Sequence, residues 1–345
     1  MDKFTYTVQA EDEKYRIKDI LRHQFTFSSR LRTKLKQNNS VYLNGVPTEG
    51  WILPKEGDVI SVRLPEESSS FEAEDIPILP VYEDDDLLII NKLPGYVVHP
   101  TRGQPSHTIA NGIMKYMQDT GQRFKIRFVN RLDRDTSGLL IVAKNSYAQE
   151  ELTKQMKQKQ TRKYYTTILC GLLEKDCGTV DLPIGRPDPE RIERGILPES
   201  GGGYASVTHY RVLTRREETL IRLDSRLTIE NGLVEGPREA FSEEEKERLE
   251  DDGLAAAVRG CTLAEILLET GRTHQIRVHM GALGHWVVGD TLYGGVLCQR
   301  DEDGFYRPIA QRQLLHAWKL CFRHPVSGDP MEVEAPLPED FFLRG

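Results

Sequence analysis

Apolar residues recur at helical spacing near the start of the chain, where Ile17, Ile20 and Leu21 predict a short helix. Ser28-Ser29 offers a cap for a second helix, Arg30–Lys36, with Leu31 and Leu35 as its apolar stripe. Arg30 and Lys34 share one face of that helix, and Arg32 and Lys36 share another. Ser40–Val46 reads as strand, turn, strand, with Asn44-Gly45 as the hairpin signal, and Val59–Leu64 reads as a last strand. Residues 15–64 therefore predict a small α/β module, a basic helix on a hairpin platform. The Ser/Glu-rich stretch Pro65–Asp75 breaks the pattern, and residues 65–77 read as a linker.

A larger domain, residues 78–345, follows. Leu87–Ile90 predicts a strand between Asp84-Asp85-Asp86 and Asn91-Lys92-Leu93-Pro94-Gly95. Ile109–Met117 and Ala148–Lys159 predict helices, and Phe128–Leu132, Leu139–Ala143 and Tyr164–Leu169 predict strands. A strand from Ala264 is expected to end at Gly271. Thr273 then caps a helix closed by Gly284, with Ile276, Met280 and Leu283 inward. Strands and helices mix without a regular βαβ rhythm, which favours α+β over a doubly wound fold. Residues 225–258 interrupt the domain with ten acidic and four basic residues. Within them Ser242–Glu250 predicts an exposed acidic helix opened by a capping box, Ser242 with Glu245.

The 345 residues suit two domains, and 38% apolar against 29% charged residues fits a soluble protein with a real core. No apolar run approaches the ~18 residues of a transmembrane helix. The stretch MDKFTYTVQAEDEK has no apolar h-region, so no secretory signal is expected. Five scattered cysteines without a C-x-x-C pair point to neither a disulfide framework nor a zinc site, and to a reducing cytoplasm. The net charge of -7 is unevenly spread: residues 14–36 carry eight basic residues against one acid, and residues 154–163 carry five against none. Such local patches matter more for phosphate contact than the global sum.

Three segments carry candidate chemistry. In Asn130-Arg131-Leu132-Asp133-Arg134-Asp135-Thr136-Ser137-Gly138 an acid lies between two arginines, whose charge favours its ionised form and suits a nucleophile or base. Alone, such an acid is more often part of a structural ion-pair turn. Arg162-Lys163-Tyr164-Tyr165 sets aromatics beside cations, a combination that stacks on an unstacked base while meeting phosphate. Adjacent strand tyrosines point to opposite faces, so at most one faces a given cleft. In Gly271-Arg272-Thr273-His274-Gln275-Ile276-Arg277 the arginines suit a carboxylate or phosphate partner. His274 and His279 are five apart, a poor spacing for a shared metal, and no metal site is expected. No Gly-x-Gly-x-x-Gly or phosphate-binding loop is present, so no nucleotide cofactor is indicated.

Together these segments resemble the RluA/RluD-type pseudouridine synthase family from about Leu79 to Phe341, apart from the acidic insertion. Val98-His99-Pro100, Gln313-Leu314-Leu315-His316-Ala317 and His324-Pro325-Val326-Ser327-Gly328 extend the likeness. Residues 16–64 separately resemble the S-four-type RNA-binding module. The resemblance implies an α+β fold with a mixed, largely antiparallel central sheet and flanking helices. It implies isomerisation of uridine to pseudouridine in structured RNA, with no cofactor. Asp133 takes the place of the catalytic aspartate, Tyr165 of the active-site tyrosine, and Arg277 of the basic residue paired with the aspartate. Arg131 takes the place of the arginine that fills the stack where the target base leaves. Arg134, Lys163, Arg272 and His274 around the site, with Arg30, Arg32, Lys34 and Lys36 on the basic helix, are expected to bind RNA. Asn130 stands where many members have histidine, and it cannot titrate. Large-subunit ribosomal RNA is the first substrate expected and transfer RNA the second, for a cytoplasmic monomer. An acidic insertion would repel RNA and is expected away from the binding face. Two other readings stand beside this one: a catalytically silent RNA-binding or ribosome-assembly protein on the same fold, and a nucleoside hydrolase or glycosidase. The second is disfavoured because it would normally need two carboxylates.

Overall fold

The structure, a computed structural model, describes residues 4–101, 103–224 and 241–342. The N-terminal unit consists of β1 (Phe4–Thr7), α1 (Ile17–His23), α2 (Ser29–Gln37), β2 (Val41–Leu43), β3 (Val46–Pro47) and β4 (Val59–Val62), with sheet order β1-β4-β2-β3. Asn44 and Gly45 take φ of 50° and 81°, the left-handed pair that a tight hairpin turn requires. The Ser28 hydroxyl accepts the Leu31 N–H at 3.1 Å, and Leu31 and Leu35 pack on Ile17, Ile20 and Ile60. Strand β1 was not predicted, because four residues of alternation (Phe4-Thr5-Tyr6-Thr7) do not distinguish a strand from a loop.

Residues 65–79 have no regular secondary structure but are tied down. Glu67 pairs with Lys34 and Arg127, and the Ser69 hydroxyl accepts the Ile126 N–H at 3.0 Å. The larger unit then runs β5 (Pro80–Glu83), β6 (Leu87–Lys92), α3 (Ile109–Asp119), β7 (Arg127–Phe128), β8 (Ser137–Ala143), α4 (Ser146–Lys157), β9 (Arg162–Cys170), β10 (Cys177–Asp181), β11 (Ile184–Gly185), β12 (Gly195–Ile196) and β13 (Val207–Leu223). It continues with α5 (Glu243–Asp251), β14 (Ala255–Leu268), α6 (Gln275–Ala282), β15 (Val296–Arg300), β16 (Tyr306–Pro308), β17 (Leu315–Arg323) and β18 (Pro330–Glu334). The central sheet has the order β16-β15-β13-β14-β9-β17-β8-β6-β5, with β10, β18 and β7 added to β13, β17 and β8. Among the described strands of this sheet, β8 and β17 form the parallel pair and the other pairs are antiparallel, which makes the fold α+β. Both faces are covered at β6, one strand in from the β5 edge. Leu88 and Ile90 of β6 pack with Ile113 of α3, while Leu87 and Ile89 pack with Leu152 of α4. Burial on two faces explains why β6 and β8 are unbroken apolar runs rather than alternating ones.

Four local expectations are corrected. Phe128–Leu132 is strand only at Arg127–Phe128, and residues 129–136 form a loop. Asn130 causes the change: its amide donates to the Leu139 carbonyl at 3.0 Å and accepts the Ile141 N–H at 2.8 Å, so its side chain replaces strand backbone beside β8. Strand β14 ends at Leu268 rather than Gly271, and α6 is entered through His274 at φ 59°, not capped by Thr273. The Gln275 amide oxygen turns back to accept the Arg272 N–H at 3.0 Å, doing the work expected of the cap. Ile276 and Met280 are buried, but Leu283 is 41% exposed. Helix α5 opens with the expected Ser242–Glu245 capping box and lies by Tyr306 of β16, while residues 225–240 of the acidic insertion lie outside the described residues. Among the described residues no helix is long and apolar enough to cross a membrane.

Candidate active site

The loop between β7 and β8 carries Asp133, and buried polar groups hold its backbone on three sides. Lys92, only 1% exposed, donates to the carbonyls of Leu93 at 2.9 Å, Arg134 at 2.7 Å and Thr136 at 2.9 Å. Burial drags its pKa down to about 7, with Asp135 and Asp133 pulling the other way. Arg312 donates to the Asp135 carbonyl at 2.9 Å, and the Gln313 amide donates to the Thr136 hydroxyl at 2.7 Å. Ser137 Oγ lies 2.9 Å from His316 Nδ1 across the parallel β8–β17 pair. Gly138 is required there: it sits at φ 109°, and a Cβ would lie 2.3 Å from the Ala317 carbonyl oxygen. The motif residues after Asp133 therefore fasten the loop to β17 and leave the Asp133 side chain one-quarter exposed.

Helix α6 brings the partner. Arg277 Nη1 donates to Asp133 Oδ2 at 3.2 Å across 144 residues of sequence. The rest of the guanidinium is gripped by Asp290, which accepts from Nε at 2.6 Å and from Nη2 at 2.8 Å. The Asp290 side chain is 1% exposed, and its Oδ1 also accepts the Leu292 N–H at 3.1 Å. Burial disfavours charge on Arg277, but the Asp290 hydrogen bonds and charge, with Asp133 behind them, more than offset it and raise its pKa. Sequence reasoning gave Asp290 no role. Its signal was the Gly289-Asp290 turn thirteen residues past Arg277, an acid with no other assigned partner.

The remaining predicted residues divide into groups. Tyr165 on β9 is 7% exposed, and its hydroxyl has no hydrogen-bond partner among the described residues. Burial, with the nearby Asp133 charge, raises its pKa and keeps the phenol neutral. Tyr164 points to the other face, 6.4 Å from the Trp318 ring. His274 Nε2 lies 3.8 Å from Asp133 Oδ2, and Nδ1 lies 2.8 Å from the Tyr293 hydroxyl. That hydroxyl also accepts the Arg194 N–H at 2.7 Å. Burial lowers the His274 pKa to about 4, against the pull of Asp133, so the imidazole is neutral near pH 7. Lys163 is half-buried against Gly271, and burial lowers its pKa. Arg272 lies over the Tyr204 ring at 5.4 Å, and Arg134 donates to Gln104 at 2.9 Å, away from Asp133. Arg131 is exposed with no partner among the described residues. On α2, Arg32 turns back to Ser29 and the Lys18 carbonyl, Lys34 pairs with Glu67, and Arg30 and Lys36 are exposed.

Among the described residues, Asp84, Asp86 and His324 bring ligand atoms within 4.8 Å of one another. Their hydrogen bonds are already used. Asp84 accepts from Tyr82, Asp86 N–H and Leu87 N–H, Asn145 donates to Asp86, and His324 Nδ1 accepts the Ser327 N–H. The remaining His324 nitrogen therefore donates to Asp84 at 2.8 Å, a hydrogen-bonded corner that needs no ion.

The site thus brings together one part-exposed carboxylate, one guanidinium fixed from behind, and a buried neutral phenol. The sequence pattern of the family described as RNA pseudouridylate synthase matches residues 86–282. The uncharacterized RNA pseudouridine synthase YjbO of Bacillus subtilis is 38% identical over 316 residues, covering 91% of this chain and 92% of that one. Ribosomal large subunit pseudouridine synthase D of Vibrio cholerae is 33% identical over 348 residues, covering 98% and 92%. Among solved structures, human RNA Pseudouridylate Synthase Domain Containing 1 aligns with a TM-score of 0.50 at 25% identity, over 78% of this chain and 86% of that one. The chain belongs to the RNA pseudouridylate synthase family, in its RluA/RluD-type branch.

Proposed function

We propose that Asp133 is the catalytic carboxylate of a site-specific uridine-to-pseudouridine isomerisation in structured RNA. The observation that carries this is the 3.2 Å contact between Asp133 and an Arg277 locked by Asp290. The reaction breaks the N1–C1′ bond, turns the uracil and joins C5 to C1′. It needs one nucleophile or base, and Asp133 supplies it while Arg277 holds the carboxylate in place. Tyr165 contacts the uracil as a neutral phenol. The target leaves its stack at a cost of ~ a few kcal/mol, which Arg131, exposed two residues before Asp133, offsets by filling the vacancy. The N-terminal unit, with a basic helix on a hairpin sheet, acts as an S-four-type RNA-binding module. Large-subunit ribosomal RNA is the first substrate, supported by relatives named for the ribosomal large subunit. Pseudouridine mapping in ribosomal and transfer RNA from cells with and without the gene tests this. Loss of pseudouridine at defined positions, ribosomal first, is expected in the deletion. An unchanged pseudouridine map would contradict the proposal.

A further inference from the structure

The two units are locked together through a small interface. The rings of Phe4 and Phe27 in the N-terminal unit meet Tyr147 of α4 edge-on at 4.7 and 5.4 Å. The Ser28 hydroxyl at the head of α2 donates to Glu150 of α4 at 2.6 Å. Beside this contact α2 and α4 diverge and leave a cleft of about 1730 Å³. Arg131 and Leu132, the two residues before Asp133, are part of its lining.

The charge in this cleft is unbalanced. Arg30 and Lys34 face it from α2, Lys154 and Lys157 from α4, and Lys125 and Arg131 from the β7 region. Its lining acids are Glu67 and Glu150. Glu67 is already taken by Lys34 and the buried Arg127, and Glu150 by Ser28. Arg30, Arg131 and Lys157 have no acidic partner among the described residues. Lys125 lies 3.8 Å from Glu67 and Lys154 3.6 Å from Glu151, so the charges left over are Arg30, Arg131 and Lys157, on three separate elements around one space, an arrangement that favours a polyanion. A phosphodiester chain supplies repeated charge along such a groove, and the lining includes the two residues that lead into Asp133.

We infer that this cleft is a second binding site for the substrate RNA, in which α2 and α4 together hold the phosphodiester backbone flanking the target nucleotide. This rests on the function proposed above and adds Lys154 and Lys157 of α4 as phosphate contacts. Both side chains are exposed, so changing them leaves the core intact.

The test is the double variant Lys154→Glu/Lys157→Glu, with Lys154→Gln/Lys157→Gln as a milder change and Lys154→Arg/Lys157→Arg as the conservative one. Each is assayed in the full chain with total RNA from a strain lacking the gene. The expected result for the Glu pair is KM raised more than tenfold, kcat within about twofold, and a salt slope of RNA binding shallower by about two. The Gln pair should fall between, and the Arg pair should match wild type. Unchanged KM and salt slope in the Glu pair would overturn the inference, as would a fall in kcat at constant KM. RNA binding is measured separately from turnover. A wild-type protein that binds RNA but makes no pseudouridine would therefore count against the proposed function, while the salt slopes still judge the cleft.

Discussion

Arg277 makes three hydrogen bonds at once, and their division explains why a single guanidinium suffices. Asp290 occupies Nε and Nη2, so Nη1 has one orientation left, toward Asp133. Under the proposed function Asp290 is a positioning residue, acting on the carboxylate through Arg277. Replacing it with asparagine puts an NH2 group against a guanidinium N–H and removes the buried countercharge. Asp290→Asn should lower kcat at least tenfold with KM within about threefold, and destabilise the fold by about 3 kcal/mol. Steady-state kinetics alongside urea denaturation checks both, and an unchanged kcat would show that Arg277 needs no such support. At this scale the chain was partly legible. Asp133, Tyr165 and Arg277 were singled out by the family resemblance of their segments, since an acid between arginines or a strand tyrosine alone reads as readily as structural. Asp290 was not, since a Gly-Asp turn has many structural uses and its partner lies on another element.

The loop from Val129 to Thr136 is precise because its neighbours leave it no freedom. Lys92 takes two of its carbonyls, Arg312 a third, and Asn130 anchors its start to β8. Its exit requires the close β8–β17 approach at Gly138. Gly138→Ala should destabilise by about 3 kcal/mol or more, because the added methyl meets backbone that cannot yield and the positive φ penalises any side chain. Denaturant midpoints measure this, and a shift below about 0.5 kcal/mol would mean the two strands separate easily. The same strand pair holds a buried histidine. Burial lowers the His316 pKa from 6.5 to about 4, against the Ala335 carbonyl that favours its charged form. The unfolded chain then takes up this proton first, so stability is full above about pH 6.5 and falls as pH drops toward 4. Between pH 7 and pH 5 His316 should account for about 2 kcal/mol of lost stability. Urea titrations of wild type and His316→Gln at the two pH values isolate it: wild type should lose that much more, and equal losses would contradict the assignment. Helices α2 and α3 were readable from periodicity, and β6 and β8 from short apolar runs bounded by polar turn residues. The exceptions were Phe128–Leu132 and the entry to α6, where Asn130 and Gln275 side chains hydrogen-bond the backbone and override apolar spacing.

Across the whole molecule, one sheet carries Tyr165, the exit of the Asp133 loop and β14 leading to α6, so three distant stretches of sequence meet at one point. The α+β class was legible from the irregular order of elements and, with the family resemblance, so was the sheet. The contact between the units was not, because it depends on Tyr147, Ser28 and Glu150, residues that carry no signal individually. The proposed function makes one carboxylate answerable for the chemistry, and Asp133→Asn tests that most directly. The change keeps the shape and removes no phosphate contact, so RNA affinity should stay within about tenfold. Pseudouridine formation on the same RNA should be abolished. Substantial turnover by that variant would contradict the account.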